Sequence, residues 1–566
     1  MPHGNTWCLV FLDKKFWGIV DQHFGSFTVS EDGSEWMLEA TDIKGYKQSR
    51  RDAGEMWFAM DENYFLPDPN QFVYDHLPSE SSHQLLARPV TSDEFTQMAR
   101  LYSPFFEYGI EDINEARCKL INESGRVEFI FRIKPGSLLT FSYVILKHVG
   151  PHVKKDVNGQ NLNNYVLLQN KQNTKTLDVR FKEIGLYKIQ VYVSEVGNDE
   201  RKCLCDYVVR CNCPYFNLQA YPPVSTELQE IGAGANCHLL KLETDQQSGI
   251  ILVEEGYAQI QINSEQENIQ YFFVLESQLR YSVRELRNAL LQDIQSNNAI
   301  MLHIKLPQEG DYLLKCYTRV KGGDTAYKLT CNYLLRADMK NLESGIYPAD
   351  LGGFVGRCNS SPLQPVTHIQ SFIRYLNNEE EDDLEIRMKL LARIEVESSV
   401  THYEGKTATD FTQFHWLQQT HQTISIHLRF PKPGTYKLTL FSQDKEKAFE
   451  LWQYLIEVNM PSKNYFPFPD VNPAWSSLYH LHEPRTGVLM ENTPVTFHLQ
   501  LQGKITISIL HSTHLSIYQF IFISQPLMST IGATLSIKMA VTSIPDNFFY
   551  ILYYCSICIY DANSDN

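Results

Sequence analysis

Three stretches of this chain carry the same pair of landmarks in the same order. They are TLDVRFKEIGLYKIQVYV around Gly185 and Tyr187, IMLHIKLPQEGDYLLKCYT around Gly310 and Tyr312, and ISIHLRFPKPGTYKLTLFS around Gly434 and Tyr436. The glycines are spaced by 125 and then 124 residues. A second landmark follows each: CDYVVR with Tyr207, CNYLLR with Tyr333 and WQYLIE with Tyr454, at 20, 21 and 18 residues after the first tyrosine. A repeat of this kind decides the architecture before any local reading does, because each copy must be one folding unit.

Each unit reads as strand, turn, strand, turn, strand. In the middle unit Met301, His303 and Lys305 alternate with Leu302, Ile304 and Leu306, the period of two expected of a strand with one buried face. Gly310 falls in the following turn, where positive φ is cheap for glycine. Lys321-Gly322-Gly323-Asp324 predicts a hairpin turn. Earlier strands are predicted at Val127–Ile133, Tyr257–Ile262 and Leu384–Leu391. Units of this size and pattern predict antiparallel β-sandwiches of immunoglobulin-like kind. Tyr187, Tyr312 and Tyr436 are expected to be structural, each tying a loop down through its hydroxyl. The length, 566 residues, suggests about four domains. An aromatic content of 12% favours strands over helices.

A fourth unit begins with NTPVTFHLQLQ at Asn492–Gln502, and no Gly-x-Tyr landmark follows it. From Ile505 to Ile537 there is no Asp, Glu, Lys or Arg. A membrane span is disfavoured, since His511, His514, Gln519, Gln525 and Pro526 interrupt the run. An aggregation-prone strand region is a second reading, because no charged gatekeepers break it. The preferred expectation is that the tail is not native domain sequence but a mispredicted chain end, which tail peptides from the natural protein would refute. Net charge is −16, which argues against generic nucleic-acid binding, where a basic face must displace counterions. Twelve cysteines in this length are too sparse for a disulfide scaffold. The start, MPHGNTWCLVFLDKK, carries no signal-peptide pattern. An intracellular setting with reduced thiols is therefore expected.

The N-terminal stretch NTWCLVFLDKKFWGIVD, Asn5 to Asp21, reads as strand, tight turn at Asp13-Lys14-Lys15, and strand, framed by Trp7 and Trp17. It resembles the His-to-Asp hairpin of transglutaminase-like (papain-like) domains. In that family a thiolate nucleophile works with a His base and an Asp that orients the His. The resemblance places Asp21 on the orienting acid and Asn5 on the His position. Asn cannot take a proton from a thiol near neutral pH. His3 shares the strand face of Asn5 but lies about 7 Å along it. The family nucleophile precedes the hairpin by tens of residues, and no cysteine precedes it in this sequence. Cys8 points away from the Trp7 face. As given, one of three triad members is present, which argues against catalysis.

The next segment carries Tyr64-Phe65-Leu66, Asp68-Pro69, Phe72, Tyr74, His76, Pro78, Gln84-Leu85-Leu86 and Pro89, then Phe95, Phe105-Phe106 and Tyr108-Gly109. With the hairpin it resembles the kyphoscoliosis peptidase and hillarin family, in which such a segment follows the transglutaminase-like domain. The repeated β modules fit that family too. Thr91-Ser92-Asp93-Glu94 is a capping box that predicts a short helix. The predicted layout is a hairpin remnant at 1–48, a linker at 49–110, sandwich modules at 111–218, 219–345 and 346–465, an incomplete fourth at 466–504 and an aberrant tail at 505–566. The fold class is mainly β, a transglutaminase-like remnant followed by tandem immunoglobulin-like sandwiches.

Other constellations are weaker. Cys203, Cys205, Cys211 and Cys213 have C-x-C spacing and would share one face of a continuous strand. Cys203 and Cys213 would then be about 33 Å apart, too far for zinc. They are expected to be buried thiols acting as small apolar residues. His415, His421 and His427 recur every six residues and would lie far apart along one strand, about 20 Å between neighbours. Glu379 to Asp383 is expected to be a solvated loop. No cofactor and no metal is expected. The resemblance implies a cytoplasmic, cytoskeleton-associated setting with cytoskeletal protein partners; the net charge argues against nucleic acid, and the interrupted tail disfavours a membrane. It leaves two functions: a non-catalytic interaction protein, or a Cys-His-Asp enzyme whose N-terminal half lies outside this sequence.

Overall fold

The computed structural model describes residues 65–471 with short gaps, the longest at 113–118, 339–345 and 376–382. Outside that span it describes residue 485 and strand segments at 8–12, 16–20, 28–29, 57–58, 480–483, 488–489, 494–501, 505–510, 517–522, 533–540, 553–554 and 556–561.

Three β-sandwiches follow one another, each around its own apolar core. In the first, the strand Gly185–Glu195 lies between Leu139–Val149 and Lys202–Cys211 in one sheet. The facing sheet is built on Val166–Lys171, Thr174–Arg180 and Arg126–Arg132. Phe129, Phe131, Phe141, Val191 and Tyr207 fill the space between them. The core also takes Ala99, Leu101, Phe105 and Ile110, and Arg100–Leu101 pairs with Lys202–Cys211. Residues 92–110, read from sequence as linker, thus pack into the first module. Their helix Ser92–Phe95 starts at the predicted capping box: the Thr91 N–H donates to Glu94 at 2.9 Å and the Glu94 N–H donates back to the Thr91 hydroxyl at 3.2 Å.

The landmark tyrosines play one role three times. Tyr187 donates its hydroxyl to the Glu183 carbonyl at 2.8 Å, Tyr312 to Gln308 at 3.0 Å and Tyr436 to Lys432 at 2.8 Å. All three rings are buried. Burial raises the Tyr312 and Tyr436 phenols to about 12, so each stays a hydroxyl donor at physiological pH. Gly310 and Gly434, with φ of 139° and 135°, open the same strands. A β-carbon on Gly434 would lie 2.6 Å from the His402 ring, so the corner needs glycine for space as well as for φ. Tyr312→Phe should lower the stability measured by urea unfolding by about 1–2 kcal/mol, because the Gln308 carbonyl loses a buried donor.

The second and third modules share one continuous sheet. Leu290–Ile294 of the second pairs in parallel with Phe354–Arg357, which pairs with Lys447–Val458 of the third. This explains a departure from the sequence reading. Ile300–Lys305 was expected to bury one face, yet all six residues are buried, because the third module covers the face carrying His303 and Lys305. The strands Gly310–Val320 and Lys328–Asp338 pair antiparallel across the predicted turn, of which residues 323–325 lie outside the described residues. Pro494–Leu501, inside the predicted early strand of the fourth unit, pairs along its length with Ala533–Ala540.

Candidate functional site

The predicted site residues Asn5 and Asp21 lie outside the described residues. What is described is the hairpin between them, Cys8–Leu12 paired antiparallel with Phe16–Val20, Phe11 opposite Trp17. Cys8 is exposed. The hairpin is attached to the next landmark segment: the Leu66 N–H donates to the Ile19 carbonyl at 2.8 Å, and Val20 bridges Phe65. Ile19 is buried at this seam. Downstream, Asp68 caps the helix Pro69–Phe72 by accepting from the Asn70 N–H at 2.9 Å. Phe72 stacks on His76 with ring centres 4.1 Å apart. Gln84 closes the following loop with bonds of 2.8 and 2.6 Å to the Val90 main chain. These landmarks hold an extended segment in shape.

The cysteine run does not share one face. A β-bulge in Lys202–Cys211 leaves Leu204 as the extra residue, with Val191 opposite Cys205 and Tyr192 opposite Cys203. The bulge flips the alternation. Cys205 and Cys211 enter the core, whereas Cys203 sits outside it near Asp206, Lys188 and Arg100. Cys213 is exposed. Burial raises the Cys203 thiol to about 12, so it is a poor nucleophile. Nor do the histidines lie along one strand. His415 and His427 sit on the two arms of a hairpin, with Trp416 opposite His427. Among the described residues no group of three His, Cys, Asp or Glu is placed to hold a metal ion. Asp383, the described end of the acidic run, forms a two-pronged pair with buried Arg429 at 2.6 and 3.3 Å; the rest of the run lies outside the described residues.

The chemically dense places are the two junctions between modules. At the first, Lys175 and Glu230 pair at 2.8 Å with side chains 4% and 1% exposed. Lys175 also donates to Asn170 at 2.6 Å, and Glu230 accepts from the Phe141 N–H at 2.6 Å. Asn332 of the second module donates to the Leu228 and Glu230 carbonyls at 3.0 and 3.1 Å. Leu167, Tyr221, Ile231, Leu313 and Leu334 form an apolar cluster beside them. At the second junction, the Asp293 carboxylate accepts from the Ser371 and Phe372 N–H groups at 2.6 and 3.3 Å. His303 shares a 2.7 Å hydrogen bond with the Tyr257 hydroxyl, and its other nitrogen is 3.8 Å from Asp293. Lys305 pairs with Glu457 across the two modules. Tyr, His and Asp in a row have the composition of a proton relay, but Asp293 and His303 are fully buried, and burial raises the Tyr257 phenol to about 12. The arrangement joins modules.

Residues 92–222, 237–347 and 360–469 match the family model described as the KY-like, immunoglobulin-like domain, together more than half of the chain. The chain belongs to the KY-like family. A LIM and transglutaminase domain protein of Caenorhabditis elegans is 23% identical over 348 residues, 59% of this chain and 46% of that protein. Kyphoscoliosis peptidase of Mus musculus is 21% identical over 368 residues, 64% and 49% of the two chains. Hillarin of Drosophila melanogaster is 23% identical over 292 residues, 49% and 35%. The chain spans about half the length, or less, of these curated relatives.

Sequence reasoning missed the junction residues of the KY-like modules. Lys175, His303 and Lys305 sit at alternate strand positions, as solvent-facing residues do. Glu230 stands between Gln229 and Ile231 near the start of the predicted second module, with no motif around it. The available signal was composition: residues 219–234, at the start of the predicted second module, carry Tyr221, Val224, Leu228 and Ile231, too apolar a set for a free tether.

Proposed function

We propose that this chain is a non-catalytic, cytoplasmic, cytoskeleton-associated interaction protein, with KY-like modules as its binding body and a degenerate transglutaminase-like hairpin at its N-terminal end. The observation that carries this reading is Asn5 at the family's His position. An amide cannot serve as the base that makes a thiolate. Three sandwiches in tandem supply long edges and faces for protein partners. The relatives named for transglutaminase domains and peptidase activity favour a second reading, a Cys-His-Asp enzyme of which this sequence is a part.

Two measurements test the proposal. The purified chain is incubated with a glutamine-containing peptide and an amine donor, and separately with a peptidase substrate, with and without iodoacetamide. No turnover is expected, and Asn5→His should not create any. Turnover abolished by alkylating a single cysteine would overturn the non-catalytic reading. The full chain is also sedimented with actin filaments and with septin filaments, and it should pellet with one of them. Retention in the supernatant with both removes the cytoskeletal part.

A further inference from the structure

The three modules are built alike, so the same strand can be compared in each. Tyr187 faces Lys147, Tyr312 faces Ser277 and Tyr436 faces His402 across the corresponding strand pairs. Counting back from these partners aligns Phe141 with Tyr271 and Val396, and Tyr143 with Phe273 and Ser398. They lie along the outer side of corresponding strands: Leu139–Val149, Ile269–Ser277 and, with Val396 one residue before its start, Glu397–Glu404.

In the first module this edge is closed. The Phe141 N–H donates to Glu230 at 2.6 Å and the Tyr143 N–H to Gln229 at 2.8 Å. His152–Lys154 pairs with the far end of the strand. In the third module it is closed by the same device. The Val396 N–H donates to the Gln419 side chain at 3.0 Å, and His415 bonds the Ser398 carbonyl at 3.2 Å. Thr407–Asp410 pairs with the remainder. In the second module Ile269–Ser277 ends its sheet, and among the described residues nothing bonds the outer main-chain groups of Tyr271 and Phe273.

That open edge has the character of a pairing strand. Its sequence, IQYFFVLES, has no proline, no lysine and one charge. Proteins usually blunt such an edge with those residues. Phe272, 45% exposed, joins Tyr317 and Tyr327 in an aromatic patch, with ring centres 6.2 and 5.8 Å away. Arg319 stacks on Tyr327 at 4.6 Å and bonds the Gln270 side chain at 2.5 Å.

We propose that Ile269–Ser277 pairs antiparallel with the same strand of a second copy of this chain, centred on Phe273, so that two second modules form one sheet across a two-fold axis. Tyr271 and Phe273 turn their main-chain groups outward, as the aligned Phe141 and Tyr143 do, so Phe273 pairs with Phe273 of the second copy through two main-chain hydrogen bonds. Phe272 then faces Val274, and Glu276 faces Gln270. This register sets the one carboxylate of each strand beside the Gln270–Arg319 pair of the other copy, and no like charges oppose each other. An isologous contact of this kind closes at two copies. It goes beyond the functional reading above and holds whether or not that reading does.

Sedimentation velocity of the full chain tests it. A concentration-dependent dimer is expected. Phe272→Lys, at an exposed side chain, should weaken it by about tenfold or more, with an unchanged circular dichroism melt showing that the module still folds. A wild-type chain that stays monomeric, or a dimer indifferent to Phe272→Lys, overturns the proposal. The register has its own readout. A Phe272→Cys chain mixed with a Val274→Cys chain should give a crosslinked dimer under copper-catalysed air oxidation, since facing residues at a non-hydrogen-bonded pair lie at disulfide distance. Crosslinking of Phe272→Cys to itself, in place of the mixed product, would overturn the centred register.

Discussion

Glu230→Ala should destabilise the chain by about 3–5 kcal/mol in urea unfolding. The cause is what remains rather than what is lost. Lys175 is 4% exposed, and its ammonium has one carboxylate, Glu230 at 2.8 Å, with the Asn170 amide and the Leu139 carbonyl as neutral company. Removing the carboxylate strands a cation where water does not reach it and strips the Phe141 N–H of its acceptor. The pair itself contributes little net stability, since two buried charges lose hydration nearly as large as their attraction. Glu230→Leu combined with Lys175→Met should therefore recover most of the loss. If the double variant is as unstable as Glu230→Ala, the charge explanation fails and shape at the junction is the cause. The carboxylate also closes an edge strand of the first module, so Glu230→Ala reopens there what Ile269–Ser277 leaves open in the second.

The parts of this fold that were legible in sequence are those set by local rules. The Gly-x-Tyr corner needs only a carbonyl four residues before the tyrosine, and all three corners form as expected. The capping box at Thr91 and Glu94 is a four-residue device, and it forms. The strands Val127–Ile133, Tyr257–Ile262 and Leu384–Leu391 follow from alternation, and all three are present within a residue or two. What was not legible depends on a neighbour. His303 and Lys305 occupy the phase of solvent-facing residues, and only the docking of Ser371–Arg374 and Glu457 from the next module buries them. The cysteine run went wrong by one residue: the bulge at Leu204 reverses the parity on which the one-face reading rested. The histidines were misplaced because Thr420–Thr423, closed by a 2.8 Å main-chain bond, turns the chain between His415 and His427.

The candidate site was legible only through resemblance. Alternation finds the hairpin, and nothing in alternation distinguishes an orienting Asp21 from any strand-end acid. Its docking on Phe65–Leu66 ties the two segments that carried the resemblance into one piece of structure. Glu230, Asp293 and Glu457, three acids withdrawn from solvent, belong to module junctions, where an acid in a strand carries no motif.

Trp452→Ala should cost about 3–5 kcal/mol, read as a fall in urea midpoint with unchanged m-value. Two residues before the second landmark tyrosine, the modules carry Cys205, Cys331 and Trp452, all buried. The third core is thus built around an indole where the others hold a thiol. Its surroundings, Leu440 opposite on the neighbouring strand and Tyr454 with its ring 6.3 Å away, are shaped to that volume. Trp452→Cys should therefore fare little better than alanine, although cysteine is the residue the other modules use. Core packing is close to crystalline, and a site does not collapse onto a smaller side chain because a homologous site accommodates one. The indole has a second task. Its N–H donates to the Ser371 hydroxyl at 3.0 Å, and the Ser371 main chain donates to Asp293 of the preceding module at 2.6 Å. Trp452→Phe keeps most of the volume and removes only that donor, so it should cost about 1–2 kcal/mol. A loss for Trp452→Phe as large as for Trp452→Ala would place the energy in the hydrogen-bonded link to the second module instead of in the third core.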